Sequence, residues 1–385
     1  MATPDVLILG GGYGGLACLR ALARHLHRGE YTATLLDATP HHTIKTRFHE
    51  RAVWENRELL LRVPLVPLAR AAGAAFVRDR VTALDLEGRR VEGEKGSHAY
   101  DRLVLALGGS IAYFDVPGAA EHTVSLQTYA DASECGRRLA ALDASGRNDL
   151  CIAVCGAGVE GLEVAAMVRQ RLPARRCRVA VIERSEEVLA RSQCRPAQRE
   201  YLRGYLRRRE IELRLGATIQ EVTEQGVTLE GGETVDADLV YWCAGVRRVE
   251  LPGTPAGAPF RVNPYLQAEE HPEVFALGDF ATVVSDQEFA NLASAQRAVY
   301  LGTLAARNLW NYDHLRLLRP VRYHPIGELI GLGDLDGVGT VYGVGVTGKV
   351  AGALKKANEV KYLAELCGGL PRAFLRRFTT GATAS

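Results

Sequence analysis

The sequence predicts an α/β protein of two parallel-sheet domains, one inserted into the other, followed by a small C-terminal region. Three observations carry this. A glycine-rich strand-to-helix turn occurs twice; each copy is followed at the same interval by an apolar strand ending in an acid; and each closes on an apolar strand that runs into glycine.

The first turn, Val6-Leu-Ile-Leu-Gly10-Gly-Gly12-Tyr-Gly-Gly15, returns as Cys151-Ile-Ala-Val-Cys-Gly156-Ala-Gly158-Val-Glu-Gly161, with Gly15 and Gly161 146 residues apart. The acid-ended strands are Ala33-Thr-Leu-Leu-Asp37 and Val179-Ala-Val-Ile-Glu183, and each acid lies 22 residues beyond the third glycine of its turn. The closing strands are Asp101-Arg-Leu-Val-Leu-Ala-Leu-Gly108 and Asp238-Leu-Val-Tyr-Trp-Cys-Ala-Gly245. Alternation of short apolar strands with helices builds a parallel sheet covered on both faces. A further strand, Val274-Phe-Ala-Leu-Gly278-Asp279, needs a sheet to finish, which makes the second unit an insertion into the first. We therefore expect two Rossmann-like domains, the first discontinuous over 1–115 and 265–325, the second over 116–264. Prolines 117, 252, 255, 259 and 264 mark linkers near 112–122 and 252–264.

In each turn the first glycine allows a tight bend, the second lets a pyrophosphate approach the main chain, and the third lets helix pack close on strand. The phosphates then meet the helix N-terminus, whose unpaired N–H groups favour negative charge. Two dinucleotides are thus expected. Asp37 and Glu183 are placed to accept hydrogen bonds from an adenosine ribose, and a carboxylate there repels a 2'-phosphate, which favours NAD over NADP at the second site. Arg184 beside Glu183 works against that preference.

Composition agrees with two or three globular domains. The chain has 385 residues, 47% hydrophobic and 24% charged, with 47 Lys plus Arg against 45 Asp plus Glu. These values exclude disordered and collagenous chains, and a net charge of +2 gives no footprint for a nucleic-acid partner. The four-residue apolar run after Met1 is too short for a signal peptide, and no eighteen-residue apolar stretch suggests a transmembrane helix, so a cytoplasmic protein is expected. Eight cysteines occur without a CxxC pair. Cys151 and Cys155 on one strand would stand about 13 Å apart, beyond disulfide reach, and read as core residues. The histidines of Pro40-His-His42-Thr-Ile-Lys45-Thr-Arg47-Phe-His49-Glu50 lack paired ligand spacing, so no metal is expected.

A long helix is predicted over about 291–310, with Leu292, Ala295, Val299, Thr303 and Ala306 on one stripe. Gly-rich strands then give way near 349 to a helix-forming tail, and 326–385 reads as a separate C-terminal region. Residues 349–385 carry +5 against −3 for the remainder. Leu354, Tyr362, Leu363 and Leu366, then Leu370, Phe374, Leu375 and Phe378, interleave with Lys355, Lys356, Lys361, Arg372, Arg376 and Arg377. Segment 349–378 suits peripheral contact with an anionic membrane surface, or a helix docked on the protein with a solvated basic face.

The whole pattern resembles the two-dinucleotide-binding-domain flavoproteins, most closely the type II NADH dehydrogenase-like branch of the pyridine nucleotide-disulfide reductase superfamily. The resemblance covers 5 to about 365. It rests on both glycine turns with Asp37 and Glu183, on Leu105-Ala-Leu-Gly108, Glu163 and Phe275-Ala-Leu-Gly-Asp279, and on Ala295-Gln296-Arg-Ala298. It implies FAD in the first domain, at Gly10, Gly12, Tyr13, Gly14, Gly15, Asp37, Lys45, Val81, Ala106, Gly108, Gly278, Asp279 and Ala295. It implies NADH in the second, at Gly156, Gly158, Val159, Glu160, Gly161, Glu183, Ala244 and Gly245. Asp279 would bond the flavin's ribityl chain, and the helix from about 291 would aim its N-terminus at the flavin.

The disulfide reductases of that superfamily need a cysteine pair near the flavin, and this chain has none there. Reduced flavin would therefore pass electrons to an external acceptor, and the resemblance implies a quinone. The relatives' AQxxxQ helix appears as Ala295-Gln296-Arg-Ala-Val-Tyr300, which keeps the first Gln and replaces the second by Tyr. Gln296 is the candidate for bonding a flavin or quinone carbonyl. Glu163 is the candidate acid between nicotinamide and flavin, with a salt-bridged helix face as the plainer reading. Lys45, Arg47 and His49 would run over the isoalloxazine, either binding a polar acceptor or covering the flavin phosphates. The function expected is NADH:quinone oxidoreduction without proton pumping, peripheral on the inner face of the cell membrane, with a homodimer left open. Alternatives are a soluble NAD(P)H reductase serving a small redox protein or polar quinone, and a redox sensor binding FAD and NADH.

Overall fold

The structure is a computed structural model that describes residues 3–57, 60–285, 291 and 293–368. The elements that position the site begin with β1 (Asp5–Leu9), α1 (Tyr13–His27), β2 (Thr32–Asp37), α2 (Phe48–Val53), β3 (Ala75–Arg78) and β4 (Arg102–Leu105). The middle of the chain adds β5 (Leu150–Cys155), α3 (Val159–Arg171), β6 (Cys177–Ile182), β7 (Ile211–Arg214) and β8 (Leu239–Trp242). The chain then supplies β9 (Val274–Ala276), α4 (Ala295–Asp313), β10 (Gly327–Leu332), β11 (Asp336–Val341), β12 (Val344–Thr347) and α5 (Gly348–Cys367).

Two parallel sheets organise the fold. The first has the order β9-β4-β1-β2-β3 and the second β7-β6-β5-β8. The central strands β1 and β5 are buried on both faces, as their unbroken apolar runs require. Strand β9 pairs with β4 only after the whole second sheet has intervened in sequence. The chain leaves the first sheet and returns to it through a two-stranded antiparallel ribbon, Gly109–Ile111 against Val246–Arg248. Beyond that ribbon the Pro-rich segment already packs on the first unit, where Leu84 N–H donates to Pro252 O at 2.9 Å.

Glycine sets the closest approaches. A Cβ on Gly15 would lie 1.9 Å from Gly10 O, and one on Gly161 2.0 Å from Gly156 O, so only glycine lets α1 and α3 sit this near their strands. Helix α4 lies along α1, where a Cβ on Gly302 would stand 2.1 Å from Gly14 O. The helix expected from about 291 starts at Ala295 instead. Ser294 caps it, its hydroxyl accepting from Arg297 N–H at 3.1 Å. Leu292, assigned to that helix's stripe, lies outside the described residues.

The third body is the antiparallel sheet β10-β11-β12 with α5 laid across it. Gly337 permits that contact, since a Cβ there would reach Gly352 N at 2.8 Å. No helix among the described residues is long and apolar enough to cross a membrane. The eight cysteines are free, and Cys151 and Cys155 are core residues of β5.

The tail composition reads differently in three dimensions. Of the apolar residues assigned to a lipid-facing stripe, Leu366 is buried and Tyr362 and Leu363 pack against the core, while Leu354 is exposed. Val350 and Val360 join it on the outer face. A helix alternates its faces every three to four residues, so composition could not separate inward from outward positions. Leu370, Phe374, Leu375, Phe378, Arg372, Arg376 and Arg377 lie outside the described residues.

Candidate functional site: two paired cradles

The two glycine turns are built alike, bond for bond. Gly10 and Gly156 take φ of +103° and +110°, which an L side chain rarely adopts. Their amides donate to Leu36 O at 2.8 Å and to Ile182 O at 2.7 Å. A Cβ on Gly10 would strike Ala106 O at 2.3 Å, and one on Gly156 would strike Cys243 O at 2.5 Å and stand 3.0 Å from Ala244 Cα. Each turn is thus clamped under the end of a closing strand. Gly12 and Gly158 form the N-caps of α1 and α3, are solvent-exposed, and have no atom within 4 Å of an added Cβ. Those open positions, with unfilled helix N–H groups behind them, are where a pyrophosphate fits.

The acids occupy matching places. Asp37 accepts from Gly11 N–H at 2.7 Å and from the Thr39 N–H and hydroxyl at 2.7 and 2.8 Å. Glu183 accepts from Ala157 N–H and Ser185 N–H, both at 2.8 Å. Each carboxylate is thereby oriented at the mouth of its cradle. Around the first cradle stand Gly14, whose added Cβ would press on Leu277, Tyr13 with its hydroxyl 3.3 Å from Thr46, and Gly108 and Gly278 with φ of +72° and +71°, while Val81 is half-buried in the strand after β3, paired with Gly93. Val159 and Gly245 are half-buried at the second, and Ala244 is exposed there.

Charged groups from both cradles meet in one cleft, where Lys45 lies near enough to Asp279 and Glu160 to feel both carboxylates. Lys45, Glu160 and Asp279 are reached by water, yet protein crowds each enough to penalise its charge. Burial pushes Glu160 up to about 7, opposed by Lys45 and Cys243. It also pulls Lys45 below the usual lysine range, against the carboxylates of Asp279, Glu160, Asp131 and Asp37. Burial raises Asp279, which Arg297 and Lys45 counter. Arg297, which the sequence does not single out, is 2% exposed, donates to Gly278 O at 3.4 Å and is pulled down to about 10 by burial. A charged residue in a helix's first turn normally reads as solvated, so sequence carried no signal for it.

Ala295 opens α4, and Gln296 follows with its Oε1 accepting from Tyr323 OH at 2.9 Å and Ile326 N–H at 3.0 Å. Its amide NH2 takes no partner among the described residues. Tyr300, at the departing position, turns toward the same segment, its hydroxyl accepting from Arg322 N–H at 2.9 Å.

Glu163 is 4% exposed and held by three elements at once. Its Oε2 lies 3.0 Å from His49 Nδ1, and its Oε1 accepts from Gly331 N–H at 2.8 Å and from Lys355 Nζ. Segment 40–50 therefore divides. Lys45 enters the cleft, whereas Arg47 pairs with Glu50 at 2.6 Å and Glu359 at 3.4 Å, and His49 with Glu163. Arg47 is taken up by ion pairs with Glu50 and Glu359, and His49, its ring kept neutral by burial, by a hydrogen bond from Nδ1 to Glu163 beneath α5, which neither of the two readings of this segment anticipated. Burial pulls His49 down to about 3 and Lys355 down to about 8.

Residues 4–302 match the family model described as pyridine nucleotide-disulphide oxidoreductase. The chain is 31% identical over 347 residues to the demethylphylloquinone reductase of Synechocystis, covering 86% of this chain and 85% of that one. It is 27% identical over 394 residues to the type II NADH:quinone oxidoreductase of Staphylococcus haemolyticus, covering 96% and 97%. Among solved structures, NDH2 from Plasmodium falciparum in complex with NADH superposes with a TM-score of 0.82 at 14% identity, over 94% of this chain and 95% of that one, which speaks to fold. With paired cradles, a shared cleft and this breadth of match, the chain belongs to the pyridine nucleotide-disulphide oxidoreductase family.

Proposed function

We propose that this chain is an FAD-dependent NADH:quinone oxidoreductase, with FAD on the Gly10–Gly15 turn and NADH on the Gly156–Gly161 turn. The observation that carries this reading is the pair of matched cradles facing one cleft, each with an oriented acid and an open glycine N-cap. The relatives named as quinone reductases supply the acceptor class. When bound, the flavin supplies the two-electron chemistry between nicotinamide and quinone.

The chain's own residues bind and orient. Asp37 and Glu183 take the adenosine riboses, and the helix N-termini of α1 and α3 take the pyrophosphates. Asp279 holds the ribityl chain and Lys45 neutralises charge in the cleft. The first turn of α4 presents positive helix-dipole charge, reinforced by Arg297, toward the flavin. Gln296 offers its amide NH2 to a carbonyl, while Glu163, buried and already bonded by His49, Gly331 and Lys355, ties α3 to the C-terminal body in place of the nicotinamide role the resemblance implied. In this reading the FAD domain spans 1–115 and 265–325 and the NAD domain 116–264, except that the Pro-rich stretch at the end of the latter lies with the FAD domain, Pro252 O accepting from Leu84 N–H and Phe260–Val262 pairing with Ala281–Val283.

Peripheral membrane contact through the outer face of α5 is part of the proposal. Val350, Leu354 and Val360 are exposed there beside Lys349, Lys356 and Lys361. An exposed apolar stripe flanked by lysines suits an anionic lipid surface. The test of the function is anaerobic titration of the purified flavoprotein with NADH and then a quinone analogue. Bleaching followed by quinone-dependent return supports the reading, and a flavin inert to NADH rejects it.

A further inference from the structure

Helix α5 does more than close the C-terminal sheet. From its inward face Tyr362 reaches the first cradle, its hydroxyl 3.0 Å from His42 Nε2. His42 is fully buried, and its Nδ1 lies 2.9 Å from Gly11 O. A carbonyl only accepts, so Nδ1 carries the ring proton, Nε2 accepts, and Tyr362 donates. Burial pulls His42 down to about 4, which keeps the ring neutral and this direction of bonding intact. Gly11 is therefore gripped on both sides: its N–H by Asp37 at 2.7 Å and its C=O by the relay from α5. The Tyr13 ring, one residue beyond Gly12, packs on both partners, with centroids 5.0 Å from His42 and 5.1 Å from Tyr362. Arg20 of α1 also donates to Glu365 O at 2.9 Å, fastening the far end of α5 to the cradle's own helix.

We infer that Tyr362 and His42 form a latch by which seating of the C-terminal helix fixes the Gly11–Gly12 turn and so governs how long the dinucleotide of the first cradle stays bound. The inference rests on the reading of that cradle as the FAD site. Tyr362 and His42 are positioning residues, acting on the flavin through Gly11. Because coupling is reciprocal, a bound dinucleotide also holds α5 down.

The test uses the holoprotein. Tyr362→Phe keeps the ring and its packing while removing the one hydroxyl, and His42→Gln changes the next link. FAD release on dilution is followed by recovery of free-flavin fluorescence, and hydrogen exchange is followed over 348–367. The expected result is release about fivefold faster in either variant, the scale of one hydrogen bond, with faster exchange in α5. NAD+ affinity at the second cradle should be unchanged, which a general loosening of the fold would not allow. Asn358→Ala, on the exposed face of α5, should release FAD at the wild-type rate. Release and exchange equal to wild type in both latch variants overturn the latch while leaving the FAD site standing. A wild-type protein that retains no FAD overturns the reading of the cradle itself, and the latch with it.

Discussion

The main-chain N–H of Ala157 donates to the Glu183 carboxylate at 2.8 Å, across 26 residues of sequence. The same bond joins Gly11 to Asp37 at 2.7 Å in the first cradle. A carboxylate fixed by two amides cannot swing away from a ribose, and it cannot make room for a 2'-phosphate. Glu183→Ala should therefore lower the NADH-to-NADPH ratio of kcat/KM by about tenfold, the scale of a charge-assisted hydrogen bond and the lost repulsion. Steady-state kinetics with both nicotinamides checks this, and an unchanged ratio removes Glu183 from the ribose role.

Gly12 and Gly158 separate binding from folding. Neither takes a positive φ and neither has a neighbour in the way of a Cβ, so alanine is sterically free in the empty protein. The cost to each helix start is about 1 kcal/mol at most. In the proposed reading the added methyl occupies the space where pyrophosphate would meet the main chain. Gly12→Ala is expected to fold and lose flavin on gel filtration. Gly158→Ala is expected to keep flavin and raise the KM for NADH at least about tenfold. Flavin-to-protein absorbance ratios and KM values decide it, and the reverse pattern would exchange the two cradles.

Glu160 should make the stability of the flavin-free protein depend on pH. Its folded value is raised to about 7 by burial, so between the ordinary glutamate value and about 7 the folded state binds more protons than the unfolded state. The contribution is fully present below about pH 4.5 and is lost as pH rises through about 7. Tm of the apoprotein is thus expected to fall across that window, with a flatter profile for Glu160→Gln. Scanning calorimetry at several pH values tests it; equal slopes would mean that water in the cleft solvates the carboxylate fully.

The outer face of α5 gives a fourth expectation. Val350→Asp with Leu354→Asp places two charges on an exposed stripe without touching the inward side chains Lys355, Glu359 and Tyr362. Cosedimentation with phosphatidylglycerol vesicles should fall at least about fivefold, while NADH oxidation with a water-soluble acceptor stays at the wild-type rate. Vesicle binding by the double variant equal to wild type would assign the stripe to another role.

What could be read from the sequence was local. Both cradles were legible because each is a continuous run, strand, glycine turn and helix, whose chemistry is set by residues within reach of one another, and the acids follow at a fixed interval. The insertion was legible because Val274-Phe-Ala needed a sheet and found β4. The contacts of Glu163 were not, since His49, Gly331 and Lys355 are 114, 168 and 192 residues away and meet only when three bodies pack. Arg297 and Tyr362 were hidden for a related reason: a helix shows its composition in sequence but not which face the tertiary fold will turn inward.

The most direct measurement of the central claim is the visible spectrum of the purified protein under anaerobic conditions, before NADH, after NADH and after a menaquinone or ubiquinone analogue. A flavin spectrum that bleaches with NADH and returns with quinone is expected. A protein that is colourless and stays so after incubation with excess FAD would contradict it.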